Sequence, residues 1–124
     1  MKQSFCPAGA PPAVGPYSPV IKKGQLLFVS GQGGFDAQGQ LPAGVTEQAI
    51  GALNNLRDVL AAAGAGLDDV VKATVFLKDM NDFAAVNQIY AQYFQAPFPA
   101  RSCVEVARLP KDMLVEIEAV AMTD

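Results

Sequence analysis

The chain has 124 residues, with 9 Lys and Arg, 12 Asp and Glu and no histidine, which gives a formal net charge of −3. This length fits one compact domain over residues 1–124 that can bury a core without disulfides or a structural metal. Without histidine, the chain can form neither a Ser-His-Asp triad nor a Cys-His dyad nor a histidine-rich zinc site. Its two cysteines, Cys6 and Cys103, are too few for a four-cysteine metal site.

No segment resembles an export signal or a membrane span. Residues 1–10 lack the basic segment and apolar run of a signal peptide, and no stretch approaches the roughly 20 apolar residues of a span. We therefore expect a cytoplasmic protein in which Cys6 and Cys103 are free thiols, with a disulfide between them as the alternative. The mildly acidic, mixed charge argues against a nucleic-acid partner, because phosphate contacts need a basic face.

The first part of the chain predicts a loop followed by a hairpin. Residues 1–19 are predicted as a loop because five prolines interrupt them: Pro7, Pro11, Pro12, Pro16 and Pro19. Residues 20–30 predict a hairpin that turns at Lys23-Gly24, and its apolar run at 26–29 is typical of a strand covered on both faces. Residues 31–44 form a second loop, which contains five glycines.

Residues 46–63 predict the clearest helix. Apolar residues spaced by 4, 3, 4 and 3 line one face, namely Ala49, Leu53, Leu56, Leu60 and Ala63. We expect Thr46 to cap the start of this helix and Gly64 to end it. Gln48, Asn55 and Asp58 are assigned to the opposite, solvent-exposed face.

The second part of the chain predicts a strand, a helix and two further strands. Val70–Leu77 is rich in β-branched residues and predicts a strand. Residues 81–94 predict a helix with one apolar stripe, formed by Phe83, Asn87, Tyr90 and Phe94, on which the amide of Asn87 is unusual. Pro97 and Pro99 end it, and strands are expected at 101–107 and 114–122. This order of elements predicts a two-layer α+β domain, with both helices on one face of a mixed sheet.

The last two strands alternate in a way that separates two faces of the sheet. We expect the valine and isoleucine side, which includes Val104 and Ile117, to pack under the helices. The other face would then hold the charged residues Arg101, Glu105, Glu116 and Glu118, together with Cys103. Such a face is either a solvated surface with incidental ion pairs or a surface half-buried against other subunits.

Four segments carry a resemblance to a known family: GPYSP at 15–19, VSGQ at 29–32, DVVKATVFLKDMNDFAAVN at 69–87 and FPARSCVEVARLPKDMLVEIEA at 98–119. Over nearly its whole length the chain resembles the RidA/YjgF-type reactive-intermediate deaminases. The resemblance implies a chorismate-mutase-like α+β subunit in a homotrimer, whose sheets line a central β-barrel with clefts between subunits. It also implies hydrolysis of 2-imino acids, such as 2-iminobutanoate and 2-iminopropanoate, to 2-keto acids and ammonia without a metal or cofactor.

The resemblance further implies roles for individual residues. Arg101 matches the arginine that binds the substrate carboxylate, and Glu116 matches the acid associated with the attacking water. Cys103 matches a residue whose backbone faces the substrate. Four more residues match positions that line or support the cleft: Tyr17, Ser30, Gly31 and Asn87.

The chain departs from the family after Gln32. Gly33, Gly34 and Phe35 stand where many members carry an apolar residue and a proline. The loop is also slightly shorter, as is the connection before Phe98. These differences leave the preferred size of the substrate open, but both Arg101 and Glu116 are retained.

The implied chemistry is compatible with the absence of histidine. A protonated imine is already electrophilic, so it needs a fixed carboxylate and a positioned water more than strong acid–base groups. The planar fork of an arginine suits a carboxylate because it makes two parallel charge-assisted bonds.

Each of these residues is also compatible with a purely structural role. Arg101 could simply pair with Glu105 or Glu118, and alternation by itself does not choose between Glu116 and Glu118 as the acid. Cys103 could be a nucleophile or, without a histidine to activate it, a small packed side chain.

The alternative functions fall into different classes. One is a non-catalytic module that binds small carboxylates and regulates a partner, and another is a deaminase dedicated to one pathway, such as an aminomuconate-type deaminase. RNA cleavage or translational inhibition is the least favoured, because of the charge of −3 and the missing histidine.

Overall fold

The computed structural model describes residues 1–10 and 13–124, so Pro11 and Pro12 of the predicted N-terminal loop lie outside the described residues. In chain order the elements are β1 (Gln3–Phe5), β2 (Val20–Lys23), β3 (Leu26–Gln32), α1 (Val45–Ala62), β4 (Val70–Leu77), α2 (Phe83–Tyr93), β5 (Ala100–Glu105) and β6 (Val115–Met122). The strands form one sheet in the order β1-β2-β3-β6-β4-β5, in which β4 and β5 are parallel and the other pairs are antiparallel. The predicted α+β architecture with a mixed sheet is confirmed.

Both helices cover the same face of this sheet. Leu53, Leu56 and Leu60 of α1 are fully buried, and they share one apolar cluster with Ile89 of α2 and Ile117 of β6. The spacing that predicted α1 therefore does describe its buried face. Within the described residues, no helix is long and apolar enough to cross a membrane.

The N-terminal segment differs from its prediction as a loop. Gln3–Phe5 forms β1, which pairs antiparallel with β2 so that Ser4 lies opposite Ile21. A three-residue edge strand is too short to produce a hydrophobic period, which is why the sequence pattern does not show it. The hairpin is confirmed, although its tip lies at Gly24-Gln25 because Lys23 already pairs with Leu26.

Helix α1 begins one residue earlier than predicted and is not capped by Thr46. Its N-cap is Gly44, which makes no side-chain hydrogen bond, and Thr46 lies inside the first turn. The Glu47 carboxylate folds back over Gly44 in that turn, where a negative charge suits the unpaired amides of a helix start. The C-terminal prediction is confirmed, because Gly64 has a φ of +80° and its N–H bonds the carbonyl of Ala61.

Two polar residues assigned to the solvent face of α1 are instead packed. Gln48 is 2% exposed; its Nε2 donates to the carbonyl of Pro42 at 2.7 Å and its Oε1 accepts from the N–H of Leu114 at 2.9 Å. Asn55 donates to the carbonyls of Gly33 and Phe35 at 2.8 and 2.9 Å. Both amides hold loops onto the helix, a role that hydrophobic periodicity does not reveal. Asp58 is exposed, as predicted.

The predicted face assignment of β5 is wrong. In the sheet register Arg101 is level with Ala73 and Ala119, and Cys103 is level with Val75 and Ile117. These partners are buried under the helices, so Arg101 and Cys103 lie on the helix-covered side. Val104 is 42% exposed and lies in register with Phe76 and Glu116, on the open side. The prediction rested on the apolar Val104 and Val106, but an exposed apolar side chain such as Val104 does not mark the buried face.

The open face of the sheet is apolar in its middle. Leu27 and Val29 are buried under the helices, whereas Leu26 and Phe28 are 40% and 53% exposed. Leu26 pairs with Met122, and Phe28 pairs with Val120, so these side chains form one patch on the open side. The prediction that this strand is covered on both faces is thus not met by the chain alone.

Candidate functional site

The residues that the sequence analysis selected fall into two groups. The first group surrounds an open cavity of about 890 Å³ between the N-terminal segment, the loop after β3 and the start of β6. Four of the selected residues line it, namely Tyr17, Ser30, Gly31 and Glu116. The second group is Asn87, Arg101 and Cys103, on the helix-covered side of β5.

Glu116 lies directly against the backbone of Gly31. A Cβ at residue 31 would be 2.6 Å from Cδ of Glu116 and 2.8 Å from its Oε2, so the carboxylate occupies the space that any side chain there would need. Partial burial raises the pKa of the Glu116 carboxyl, and the neighbouring charge of Glu118 raises it further. Glu116 is therefore a more basic carboxylate than a solvated glutamate and is better able to accept a proton.

Ser30 and Tyr17 connect the N-terminal segment to this cavity. The Ser30 hydroxyl donates to the carbonyl of Ser18 at 2.6 Å, and its N–H donates to the carbonyl of Pro19 at 2.9 Å. These bonds hold the segment that carries Tyr17 beside β3. Tyr17 itself is 54% exposed, which leaves its ring available at the cavity wall.

Arg101 reaches from β5 to one side of α2. Its Nη1 donates to Oδ1 of Asn87 at 2.7 Å. Its Cζ lies 4.8 Å from the ring centroid of Tyr90 and 5.6 Å from that of Phe83. The position of Asn87 on the apolar stripe of α2 is thereby explained, because the Arg101 guanidinium packs against this stripe and Asn87 accepts a hydrogen bond from it.

Arg101 has no carboxylate partner among residues 1–10 and 13–124. The ion pairs found there join Arg57 to Asp58 and Arg108 to Asp112. Glu105, which the structural alternative offered as a partner for Arg101, instead accepts from the N–H of Met80 at 2.8 Å. With one corner of its guanidinium held, Arg101 keeps further N–H donors for an anionic ligand.

Cys103 is half-buried and packs against the apolar cluster. Burial raises the pKa of its thiol, and the nearby Arg101 opposes this in part. The thiol is therefore protonated at neutral pH, which favours a packing role over nucleophilic attack. Cys6, the other cysteine, is exposed, and both thiols are free as predicted.

The two groups cannot meet on one ligand within one chain. Arg101 and Glu116 lie on opposite faces of the sheet, and β4 runs between their strands. Strands are spaced about 4.8 Å apart and side chains leave the two faces in opposite directions. One chain thus holds the selected residues in two separate groups, each a candidate half-site.

The aromatic neighbours of Arg101 and the charges of the cavity were not selected from the sequence. The sequence pattern indicates Tyr90 and Phe83 only as residues of the apolar stripe, although their spacing around Asn87 also predicts that they lie beside its amide.

Apart from Glu116, the charged residues lining the cavity are Asp36, Asp58, Lys111 and Glu118. No group of three or more His, Cys, Asp or Glu side chains in the described parts of the chain is arranged to hold a metal ion.

Known proteins resemble this chain over almost its full length. The family model described as endoribonuclease L-PSP matches residues 8–123. A 2-iminobutanoate/2-iminopropanoate deaminase of Capra hircus is 54% identical over 117 residues, which is 93% of this chain and 85% of the relative. A RutC family protein of Pyrococcus horikoshii is 50% identical over 98% of both chains.

A solved structure gives the same result for the fold. The crystal structure of Escherichia coli TdcF with bound serine superposes with a TM-score of 0.93 at 44% identity, covering 98% of this chain and 99% of that one. The chain therefore belongs to the endoribonuclease L-PSP family, which is the RidA/YjgF family that its motifs resemble.

Proposed function

We propose that this protein is an imine/enamine deaminase that hydrolyses 2-imino acids to 2-keto acids and ammonia. The observation that carries the proposal is the guanidinium of Arg101, which is held by Asn87 and has no carboxylate partner among the described residues. A free, oriented guanidinium is suited to a small carboxylate. The name of the goat relative supports 2-iminobutanoate and 2-iminopropanoate as substrates.

The proposed reaction uses Arg101 to fix the carboxylate and Glu116 to activate water. Water attacks the imine carbon, its proton passes to Glu116, and a tetrahedral carbinolamine forms. Glu116 then returns this proton to nitrogen and takes up the hydroxyl proton as the carbon–nitrogen bond breaks, so that the ketone forms. The departing ammonia accepts that proton and leaves as ammonium, which restores the Glu116 carboxylate. The raised pKa of Glu116 suits this exchange, and its negative charge favours the iminium.

We further propose that each complete site forms between two copies of the chain. Arg101 and Glu116 lie on opposite faces of one sheet, whereas a four-carbon imino acid has to contact both at once. The apolar patch of Leu26, Phe28, Val120 and Met122 on the open face needs cover as well. A homotrimer around a central β-barrel meets both needs, with Arg101 of one copy facing Glu116 of another.

The remaining residues have supporting roles in this proposal. Tyr17 forms part of the cleft wall, Ser30 holds the segment that carries Tyr17, and Gly31 leaves room for Glu116. Cys103 lies on the outermost strand, where half of the backbone groups point away from β4 and are free for a ligand. We propose no metal and no cofactor.

RNA cleavage, which the name of the family implies, is less well supported by the charges of the cavity. Four carboxylates line it, from Asp36, Asp58, Glu116 and Glu118, against one ammonium from Lys111. Such a lining repels phosphate but attracts an iminium cation. Binding of a small carboxylate without turnover uses the same guanidinium, so only turnover separates that function from catalysis.

Turnover is tested by supplying imino acid from an L-amino-acid oxidase and trapping what survives with semicarbazide. We expect wild-type protein to lower the trapped imine, and Arg101→Ala to lose about 100-fold in kcat/KM, because two charge-assisted bonds are removed. Arg108→Ala is the matched control, since its exposed side chain pairs with the exposed Asp112. Equal trapping with and without wild-type protein would refute the deaminase proposal.

A further inference from the structure

The guanidinium of Arg101 lies on a cradle made by three residues of α2: Phe83, Asn87 and Tyr90. The three are spaced by four and three residues, so they form one stripe along the helix. Asn87 bonds Nη1 at 2.7 Å, while the rings of Tyr90 and Phe83 lie 4.8 and 5.6 Å from Cζ. A guanidinium held by a single hydrogen bond can still rotate about that bond, whereas contact with two rings restricts the orientation of its plane.

We propose that Tyr90 is a positioning residue whose ring sets the plane of the Arg101 guanidinium, and thereby the orientation of the bound carboxylate. Phe83 assists at the other side of the cradle. The inference rests on the proposed function only in assigning a carboxylate to Arg101. The attraction between a cation and a ring face is strongest in partly desolvated places such as this one.

The surroundings of Tyr90 support a role for the ring rather than for the hydroxyl. Tyr90 is 5% exposed, and its ring is backed by Phe94 at a centroid distance of 4.6 Å. Its hydroxyl is buried and has no hydrogen-bond partner among the described residues. Tyr90→Phe therefore removes a group that holds nothing here, while Tyr90→Leu removes the platform.

Motion of the guanidinium is the direct test, because it needs neither substrate nor turnover. The chain has three arginines, Arg57, Arg101 and Arg108, so arginine-selective ¹⁵N labelling gives three Nε–H signals, and Arg101→Lys identifies one. We expect the order parameter of Arg101 Nε to be high in wild type and in Tyr90→Phe. In Tyr90→Leu we expect a fall to the flexible range, below about 0.6.

Affinity for the product analogue 2-oxobutanoate is the second readout. We expect Tyr90→Leu to bind it about five- to twenty-fold more weakly than wild type, and Tyr90→Phe to recover most of the affinity. The uncharged 2-oxobutanamide should bind equally to all three proteins. In turnover, KM should rise more than kcat falls, because the carboxylate contact is made before and during reaction.

Tyr93→Leu is the matched control. Tyr93 lies on the same helix, but its hydroxyl donates to Asn54 at 2.7 Å on the side of α1, away from Arg101. A loss of packing in general would affect both variants, whereas a loss of positioning affects Tyr90→Leu alone. If Tyr90→Leu does not fold, Phe83→Leu at the more exposed ring gives the same test with a smaller expected change.

The outcomes separate this inference from the proposed function. Unchanged order parameter and unchanged affinity in the folded variants overturn the inference, whatever the turnover. No binding of 2-oxobutanoate by wild-type protein also overturns it, together with the carboxylate role of Arg101. Weaker binding in Tyr90→Leu without any turnover by wild type supports the inference and refutes the deaminase proposal.

Discussion

Individual side chains in this protein are placed by neighbours that the sequence does not bring close together. Glu116 lies against Gly31 from a strand 85 positions later in the chain, and Arg101 meets Asn87 across the gap between β5 and α2. In both cases a polar group of the candidate site is held by a specific contact. The chemistry of such a group also depends on its surroundings, because burial and the charge of Glu118 raise the pKa of Glu116.

The pH dependence of turnover is expected to report the pKa of Glu116. The carboxylate has to be ionised to accept a proton from water, so activity falls as the pH falls through this pKa. Because burial and the charge of Glu118 raise the pKa, the fall should occur above the value of about 4.3 of a solvated glutamate. Glu118→Gln removes one of the two causes and should move the fall to lower pH.

This prediction is checked by measuring kcat/KM between pH 4.5 and 8, with the uncatalysed rate subtracted at each pH. Glu105→Gln serves as the control, because that carboxylate bonds the N–H of Met80 on the other side of the sheet. A profile that does not move in Glu118→Gln would show that the acid-side fall belongs to another group or to the substrate.

At the scale of elements, the loops of the candidate site are held by α1. Gln48 joins the loop before the helix to the start of β6, and Asn55 holds the turn after β3. The backbone of Gly34 packs so closely on the helix that a Cβ there would lie 2.5 Å from the carbonyl oxygen of Gln48. Gly34 thus permits close contact between the loop and the helix, whereas a Cβ at Gly33 would meet the side chains of Met113 and Phe35.

Replacement of the buried Gln48 should cost stability. In Gln48→Met the Leu114 N–H and the Pro42 carbonyl both lose their partner, so we expect unfolding to become easier by about 1–3 kcal/mol. Gln88→Met, at an exposed position of α2, should change stability by less than about 0.5 kcal/mol. Urea unfolding of the three proteins checks this, and equal stability would mean that Gln48 does not bridge these loops.

At the scale of the whole molecule, the two candidate half-sites lie apart within one chain, so the proposed activity requires assembly of several chains. One sheet separates Arg101 from Glu116, and the described residues of the same chain leave the apolar patch on its open face exposed. The proposed trimer accounts for both features at once. It should have a mass of about 39 kDa, three times the 13.0 kDa of the chain.

Complementation between two inactive variants tests the shared site. Arg101→Ala and Glu116→Gln subunits are unfolded together in equal amounts and refolded, which mixes them at random. In a closed ring each mixed trimer contains one site with both groups intact, so about a quarter of the wild-type activity should return. The mass of the mixture is measured in parallel as a control for assembly.

Recovery of activity on mixing excludes a site made by residues of one chain. If both variants are inactive alone and the refolded mixture has the proper mass but no activity, then Arg101 and Glu116 do not act across a subunit boundary. Each variant refolded without the other provides the baseline.

The sequence by itself determined two things: the helices and strands with strong hydrophobic periodicity, and the family to which the chain belongs. The apolar spacing of α1, the β-branched run of Val70–Leu77 and the helix-ending Gly64 all predicted local structure correctly, because local sterics and hydrophobic period act over a few residues. The motifs around Arg101 and Glu116 indicated the family for a similar reason, since they are continuous in sequence. The roles of all the site residues, Arg101 and Glu116 included, rest on the same resemblance and stay predictions.

Only the tertiary structure decided which residues share a face and which meet. The alternation in β5 predicted that Arg101 lies on the open face with Glu116. An exposed apolar residue such as Val104 is common on protein surfaces, however, so it does not mark the buried face. Hydrophobic periodicity also failed to predict β1 and the bridging role of Gln48, because pairing with a distant strand or loop leaves no local signal in the sequence. The sheet register therefore places Arg101 and Glu116 on opposite faces, and the packing of α2 brings Phe83, Asn87 and Tyr90 to Arg101.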